Sequence, residues 1–286
     1  MGVQVSPPAP IAPAWSTLID ALELIDDWPV RAAVAVVTPE GIMASRGPMD
    51  EVFRLASVTK PLTALLTMLQ VQERLLLLDE PVVANGATVR HLLSHAGGLA
   101  PDVGGRLRDP EERRIYSNWG FEILAGRIED ETNEPVAVVM EAELLRPLGM
   151  TATRLEGSAA HAAAGTVTDL AAVARELLDP QLLEADTVTD MATIQFPGLD
   201  GVLPGYGRQT PNPWGLGVEI RGHKSPHWTG ADNSPETFGH FGQSGSFVWI
   251  DPSAGLACVS LADADFGQWA VEAWPPLADA VLDQYA

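Results

Sequence analysis

SVTKPLTALLTML, residues 57–69, joins a Ser-x-x-Lys pattern to the start of an apolar stripe. Four leucines between positions 62 and 69 recur at helical spacing, so the sequence predicts a helix that begins near Ser57. Ser57 then lies in the first turn of that helix, and Lys60 lies three residues further on over the same face. The spacing therefore allows the hydroxyl and the ammonium group to touch.

Contact between a serine and a lysine at a helix start can serve acyl transfer. A hydroxyl is a poor nucleophile until a neighbouring base removes its proton, and a lysine whose pKa is lowered by desolvation can be that base. The free N–H groups of the first helical turn favour the negative charge that develops on the substrate. For an isolated match, a capping serine followed by a surface lysine is the better interpretation, so the context of the pattern matters.

Tyr116-Ser117-Asn118 is a second polar element, and an apolar helical pattern follows it. A tyrosine there can accept or relay the serine proton if Lys60 lowers its pKa. The Asn118 amide can orient both Lys60 and the carbonyl side of a substrate. A tyrosine and an asparagine found in isolation in a loop are usually turn residues.

His240-Phe241-Gly242 forms a third element, which is followed by Gln243 and lies ahead of a strand-like run. Glycine lets the backbone approach a ligand closely, so we expect the Gln243 N–H to pair with that of Ser57 as an oxyanion hole. The alternative interpretation is a glycine-rich bulge at the start of a strand.

The chain on either side of these elements carries strand and helix patterns. Two strand-like runs precede Ser57 and three lie near the C-terminal end, at 30–38, 42–46, 214–220, 246–250 and 256–261. Helical periods fill the interval from Ser57 to about Asp179, and further helices are predicted at 16–25 and 270–285. The order predicts an α+β fold: a central antiparallel five-stranded sheet, flanked by N- and C-terminal helices, with an inserted all-helical region.

Composition and charge restrict the classes of partner and location. The 286 residues include 17 basic and 38 acidic side chains, and the formal net charge of -21 disfavours nucleic acid and anionic membranes. Cys258 is the single cysteine and lies in an apolar run, so a buried thiol is expected. Residues 1–15 contain no Lys or Arg and lack the apolar stretch of a signal peptide, so a cytoplasmic protein is expected.

The patterns for a metal site and for another hydrolase fold are weaker. His91 and His95 have the four-residue spacing of a helical metal site, but the glutamate that the zinc-protease motif requires after His91 is missing. His223 and His227 flank a polar loop with no carboxylate at ligand spacing. The glycines of residues 242–246 do not match a nucleophile elbow, so an α/β-hydrolase is not favoured. We therefore expect no metal and no organic cofactor.

The order and spacing of the three elements resemble the serine β-lactamase and penicillin-binding protein family, especially its branch of class C β-lactamases, D-aminopeptidases and esterases. Residues 57–60 resemble the first family motif, Ser-x-x-Lys. Residues 116–118 resemble the Tyr-x-Asn motif of that branch, and residues 240–242 resemble a His-x-Gly variant of Lys-Thr-Gly. The resemblance spans roughly residues 53–262 and includes the stretch HLLSHAGGL at 91–99.

This resemblance implies a β-lactamase-like architecture. A single serine hydrolase domain of residues 1–286 is expected, with an α/β part at 1–52 and 185–286 and a helical part at 53–184. We expect the side chains at positions 57, 60 and 116 to converge within hydrogen-bonding reach at the head of one helix.

The resemblance also implies a role for each motif residue. Ser57 is expected to be the acylated nucleophile, and Lys60 with Tyr116 the coupled general base. The expected substrate-binding residues are Asn118, His240, Gly242 and Gln243. His240 stands where the family has a substrate-binding lysine, and a histidine that is mostly neutral near pH 7 attracts a carboxylate less.

The expected function is hydrolysis of a small-molecule ester or amide through an acyl-enzyme. β-Lactamase, D-aminopeptidase or D,D-peptidase activity is the alternative within the family. A catalytically silent, ligand-binding member of the fold is the alternative of another class. The sequence does not indicate an oligomeric state.

Overall fold

The structure is a computed structural model that describes residues 20–286, and its centre is a six-stranded antiparallel sheet. The strands of the described residues are β1 (Ala32–Thr38), β2 (Gly41–Arg46), β3 (Phe53–Arg54), β4 (Arg154–Leu155), β5 (Ala163–Gly165), β6 (Gly201–Leu203), β7 (Gly207–Gln209), β8 (Glu219–Ile220), β9 (Phe238–Gly242), β10 (Ser246–Asp251) and β11 (Leu256–Ala262). Six of them form the main sheet in the order β2-β1-β11-β10-β9-β8, so strands from both ends of the chain are neighbours.

The central strands are buried on both faces because they are almost entirely apolar. In β1, Val34 and Val36 pack in one core, whereas Ala33 and Ala35 pack in the other. β11 pairs with β1 and places Val259 opposite Ala35. Successive side chains of a strand point to opposite faces, so a strand without polar positions needs cover on both sides.

Helices provide this cover. The helices of the described residues are α1 (Thr59–Gln72), α2 (Val89–Leu93), α3 (Asn118–Thr132), α4 (Val136–Met140), α5 (Val167–Leu178), α6 (Ala185–Met191) and α7 (Gln268–Tyr285). Short 3-10 helices lie at Ala21–Asp27 and Ala56–Val58, and a π-helical turn lies at Glu141–Leu145. α7 and the first 3-10 helix pack on one face of the sheet, and α1 and α5 contribute to the core on the other.

The predicted fold class is confirmed, with two differences in the sheets. The main sheet has six strands rather than five, because Phe238–Gly242, which looked like the approach to a strand, is itself β9. The inserted region is not all helical, because β3, β5 and β4 form a small three-stranded sheet there. Strands of two or three residues are too short to show a period in the sequence.

Within the described residues, the N-terminal helix is not an α-helix. It is the 3-10 helix Ala21–Asp27, and the Asp20 side chain accepts from the Leu22 N–H at its start. The earlier part of the predicted helix and residues 1–15 lie outside the described residues. Cys258 is buried, as predicted. Among residues 20–286, no helix has both the length and the apolar character needed to cross a bilayer.

Candidate active site

Ser57 lies in the 3-10 turn Ala56–Val58, immediately before α1. Ala56 has a φ of 44°, a left-handed conformation that is unfavourable for a residue with a side chain. The Val58 N–H donates to the Leu55 carbonyl at 3.0 Å, and both of these residues are buried. The strained turn therefore holds Ser57 partly exposed between two buried anchors.

Lys60 is fully buried in the first turn of α1. Its Nζ donates to Ser57 Oγ at 3.4 Å, to Asn118 Oδ1 at 2.7 Å and to the Ala160 carbonyl at 2.9 Å. Burial lowers the pKa of Lys60 to about 7, and two more distant carboxylates oppose this shift only in part. Because none of the three acceptors is charged, a large fraction of Lys60 is neutral near pH 7 and has a lone pair for the Ser57 proton.

Tyr116 lies beside this pair, and Lys60 Nζ is 4.5 Å from the centre of its ring. The Tyr116 hydroxyl is buried, and the described residues offer it no hydrogen bond of ordinary geometry. Burial raises the pKa of Tyr116, and the nearby Ser57 hydroxyl opposes this only in part. The coupling of Tyr116 to Lys60 as a general base stays a prediction. Tyr116 keeps its proton at neutral pH.

Asn118 begins α3, where the Ser117 hydroxyl caps the helix by accepting from the Gly120 N–H at 3.1 Å. Asn118 Nδ2 donates to Asp102 Oδ1 at 3.1 Å. This bond determines which end of the amide faces Lys60, so Asn118 presents its oxygen to the lysine.

His240 is buried on β9, where its Nδ1 donates to the Phe241 carbonyl at 2.7 Å. Burial, followed by the charge on Lys60, lowers the pKa of His240 to about 3. The ring is therefore neutral at physiological pH. With the proton assigned to Nδ1 by this hydrogen bond, Nε2 is a hydrogen-bond acceptor, and it is unpartnered within residues 20–286.

β9 also brings Gly242 against the turn that carries Ser57. A Cβ at Gly242 would lie 2.5 Å from the Leu55 carbonyl oxygen and 3.2 Å from the Ser57 nitrogen, so a side chain is excluded there. Gln243 follows β9, and its side chain donates to the Phe266 carbonyl at 3.3 Å. The Gln243 N–H as part of an oxyanion hole stays a prediction.

A small cavity of about 140 Å³ opens at Ser57. It is lined by Ser57, Tyr116, Leu203, Pro204, Trp214, Glu219, His240, Phe241 and Gln243. Four of the seven predicted site residues therefore share one cavity wall. Lys60 and Asn118 do not line it, and Lys60 reaches it through its contact with Ser57.

Sequence reasoning missed Trp214, Glu219 and His95. The first two were predicted only as parts of one strand, because no pattern in that segment shows which side chains face the serine. His95 was considered as a metal ligand, but its Nδ1 accepts from the Ser117 N–H at 3.1 Å and its ring centre lies 4.5 Å from that of Tyr116. The family-like stretch at 91–99 is the signal that could have indicated it.

Glu219 is buried in a cluster that neutralises it. Its carboxylate forms an ion pair with Lys224 and accepts from His227 Nε2 at 3.0 Å and Trp228 Nε1 at 2.6 Å. Although burial by itself raises it, Lys224 and His227 hold the pKa of Glu219 well below its usual range. A larger cavity of about 740 Å³ borders Lys224, and none of the predicted site residues lines it.

The histidine pairs have no metal-site geometry. Within residues 20–286, no group of three or more His, Cys, Asp or Glu side chains could hold a metal ion. His91 instead bonds with Thr88 at 2.7 Å and with Glu111 at 3.1 Å.

Several known proteins are similar to this chain. A family model described as Beta-lactamase matches residues 30–282. The crystal structure of a beta-lactamase from Mycobacterium bovis is 51% identical, with a TM-score of 0.91, and the match covers 93% of this chain and 99% of that one.

Two curated proteins match more partially. Esterase EstB from Burkholderia gladioli is 31% identical over 35% of this chain and 38% of its own length. Penicillin-binding protein 4* from Bacillus subtilis is 27% identical over 40% of this chain and 33% of its own length. The chain thus spans only 38% and 33% of the length of these two relatives.

Proposed function

The chain belongs to the beta-lactamase family of serine hydrolases, and we propose that it hydrolyses short carboxylic esters through an acyl-enzyme on Ser57. The observation that carries this proposal is the buried Lys60. Its Nζ lies 3.4 Å from Ser57 Oγ, and its pKa is lowered to about 7. A base with this pKa is neutral often enough to take the hydroxyl proton, and its conjugate acid can return it.

In the proposed first step, Ser57 Oγ attacks the ester carbonyl carbon while its proton moves to Lys60 Nζ. The backbone N–H groups of Ser57 and Gln243 stabilise the negative charge on the carbonyl oxygen. Tyr116 is protonated at neutral pH, and its phenol donates this proton to the leaving oxygen as the carbon–oxygen bond breaks. Lys60 then returns a proton to Tyr116. Water then attacks the carbonyl carbon of the acyl group, and the same residues carry its proton to Ser57 Oγ. The carboxylic acid leaves, and the Ser57 hydroxyl is restored.

The cavity wall favours an ester over a β-lactam. A β-lactam substrate carries a carboxylate, and the lysine that would attract it in the family is replaced by His240, whose pKa is lowered to about 3. None of the described residues that line the cavity is a cation, and the carboxylate of Glu219 on the same wall is already paired with Lys224. A substrate carboxylate would therefore find no opposite charge on this wall.

The size of the cavity favours a short acyl group. Its volume of about 140 Å³ is well below that of pockets for drug-sized ligands, which begin near about 300 Å³. Trp214 and Phe241 give the wall apolar area, which suits an acyl chain of a few carbons.

Turnover of esters and of a β-lactam by one preparation tests the proposal. We expect a higher kcat/KM for p-nitrophenyl acetate and butyrate than for nitrocefin. Intact mass spectrometry after a fluorophosphonate should show one adduct, which Ser57→Ala lacks. Faster nitrocefin hydrolysis would favour β-lactamase activity, the alternative that the description of the Mycobacterium bovis structure supports. A folded protein that no acyl donor modifies would favour a ligand-binding member.

Two further predictions belong to this proposal. One is a single domain of residues 1–286, with its α/β part at 1–52 and 185–286 and its helical part at 53–184. The other is a cytoplasmic location, which cell fractionation followed by an esterase assay tests.

A further inference from the structure

A second concave surface begins where the cavity at Ser57 ends. It is a groove of about 580 Å³ that shares Tyr116 and Pro204 with that cavity. Its apolar wall includes Leu107 and Val202, which are 53% and 52% exposed. Exposed apolar side chains gathered in a groove are typical of a surface that a ligand covers.

The groove also contains an arginine with one buried nitrogen that is unpartnered among the described residues. Arg113 Nε is buried and has no hydrogen-bond partner among residues 20–286, although the chain has 38 acidic and 17 basic residues. Arg108, an exposed arginine that also lines the groove, is paired with Glu112 at 3.5 Å. A buried donor without an acceptor is unfavourable, so an anionic group of a ligand would stabilise Arg113.

The next residue shows how an arginine with a structural role differs. Arg114 is buried, and its guanidinium donates to the carbonyls of Ser94 at 2.5 Å, Gln195 at 2.8 Å and Asn212 at 2.9 Å. These bonds tie three segments together. Arg113 Nε has no comparable acceptor among the described residues. A role in holding these loops together therefore does not explain the arginine at position 113.

The position of Tyr116 indicates which part of an ester enters the groove. In the proposed mechanism, the Tyr116 phenol protonates the leaving oxygen, so that oxygen lies beside Tyr116. The cavity of about 140 Å³ on one side of Tyr116 holds the short acyl group. The alcohol part of the ester then continues on the other side, along Leu107 and Val202 toward Arg113.

We propose that the preferred substrates are short-chain acyl esters of an apolar alcohol or phenol that ends in a carboxylate, and that Arg113 binds this carboxylate. The inference rests on the proposed function, because it uses Ser57 as nucleophile and Tyr116 as proton donor. It adds a determinant of specificity outside the three motifs. Arg113 lines the groove, whereas Glu219 lines the cavity at Ser57 and not the groove.

A matched pair of aryl acetates tests this inference. The charged ester is the acetate of a phenol that carries a propanoate chain at the para position. In the neutral ester, a primary amide replaces the carboxylate of that chain. The two leaving groups have similar acidity, so their intrinsic reactivity is matched. We expect the ratio of kcat/KM for the charged over the neutral ester to fall about tenfold in Arg113→Met, as for loss of a charge-assisted hydrogen bond. It should fall further in Arg113→Glu.

The ratio is independent of how much of each variant is folded, because both esters are measured on one preparation. Arg146→Met is the control, since it removes an exposed charge that is 3.9 Å from Glu141 and outside the groove. An unchanged ratio in Arg113→Met, or an equal fall in Arg146→Met, would overturn the inference. If the unmodified protein showed no Ser57-dependent ester hydrolysis, that result would instead contradict the proposed function.

Discussion

The chain has only two lysines, Lys60 and Lys224, and both are buried, but their surroundings differ. Lys60 donates to a hydroxyl, an amide oxygen and a carbonyl, and none of these acceptors carries a charge. Lys224 forms an ion pair with the buried carboxylate of Glu219. Burial lowers the pKa of both lysines, but at Lys224 the carboxylate opposes the shift.

This difference separates a group suited to proton transfer from a group suited to structure. A buried ammonium without a counter-charge is costly to keep protonated, so Lys60 releases its proton easily. A buried ammonium paired with a carboxylate compensates a charge that would otherwise be unpaired. Lys224 with Glu219 therefore supports the cavity wall, whereas Lys60 is available to Ser57.

The largest expected effect is on catalysis by Lys60→Met. We expect kcat/KM for p-nitrophenyl acetate to fall about a thousandfold, because the general base is lost while the apolar stem is kept. The free energy of unfolding should not fall in parallel, since no paired charge is broken. Stopped-flow or steady-state assays, with urea unfolding of the same samples, measure the two quantities. Turnover equal to that of the unmodified protein would exclude Lys60 as the base.

Lys224→Met should have the opposite profile. It leaves the Glu219 carboxylate buried without its ion pair, so we expect the free energy of unfolding to fall by about 3 kcal/mol. The remaining folded protein should still acquire the fluorophosphonate adduct.

The double variant Glu219→Gln with Lys224→Met is the control for this loss. It should recover part of the stability, because no unpaired charge remains. A Lys224→Met protein as stable as the parent would mean that the two lysines do not differ in the way described.

Asn118→Asp would make the surroundings of Lys60 resemble those of Lys224. The new carboxylate would replace an amide oxygen that lies 2.7 Å from Nζ, so the pKa of Lys60 should rise from about 7 by at least about one unit. The neutral amine is the active form, so activity rises with pH through this pKa. The rising limb should therefore move to higher pH, with activity at pH 7 at least about fivefold lower.

The two lysines can be titrated directly to check this prediction. Lysine labelled with carbon-13 at Cε gives one NMR signal for each of Lys60 and Lys224, which Lys224→Met assigns. Asn118→Ala is the control, because it removes the amide without adding a charge and should not raise the pKa. A rising limb that stays near pH 7 in Asn118→Asp would contradict the role given to Lys60.

The parts of the fold with long patterns were predictable, and the short ones were not. Strands β1, β10 and β11 are mostly apolar runs, helix α1 has a clear helical period, and the predicted fold class is confirmed. β9 was missed because Phe238–Gly242 contains two glycines, which lower strand propensity. For the candidate site, the three motifs led to residues that lie near one another, whereas Glu219 had no local signal for its burial. The roles of the seven predicted site residues stay predictions.

The sequence by itself determined that Ser57 and Lys60 are neighbours, because three residues of a helix set that distance locally. It also determined the fold class, since its strand and helix patterns extend over most of the chain. Only the tertiary structure decided the charge state of each group. Lys60 is desolvated by contacts with Asn118 and Ala160, which lie 58 and 100 residues further along the chain. A pKa depends on every group packed around the side chain, and no local pattern encodes those neighbours.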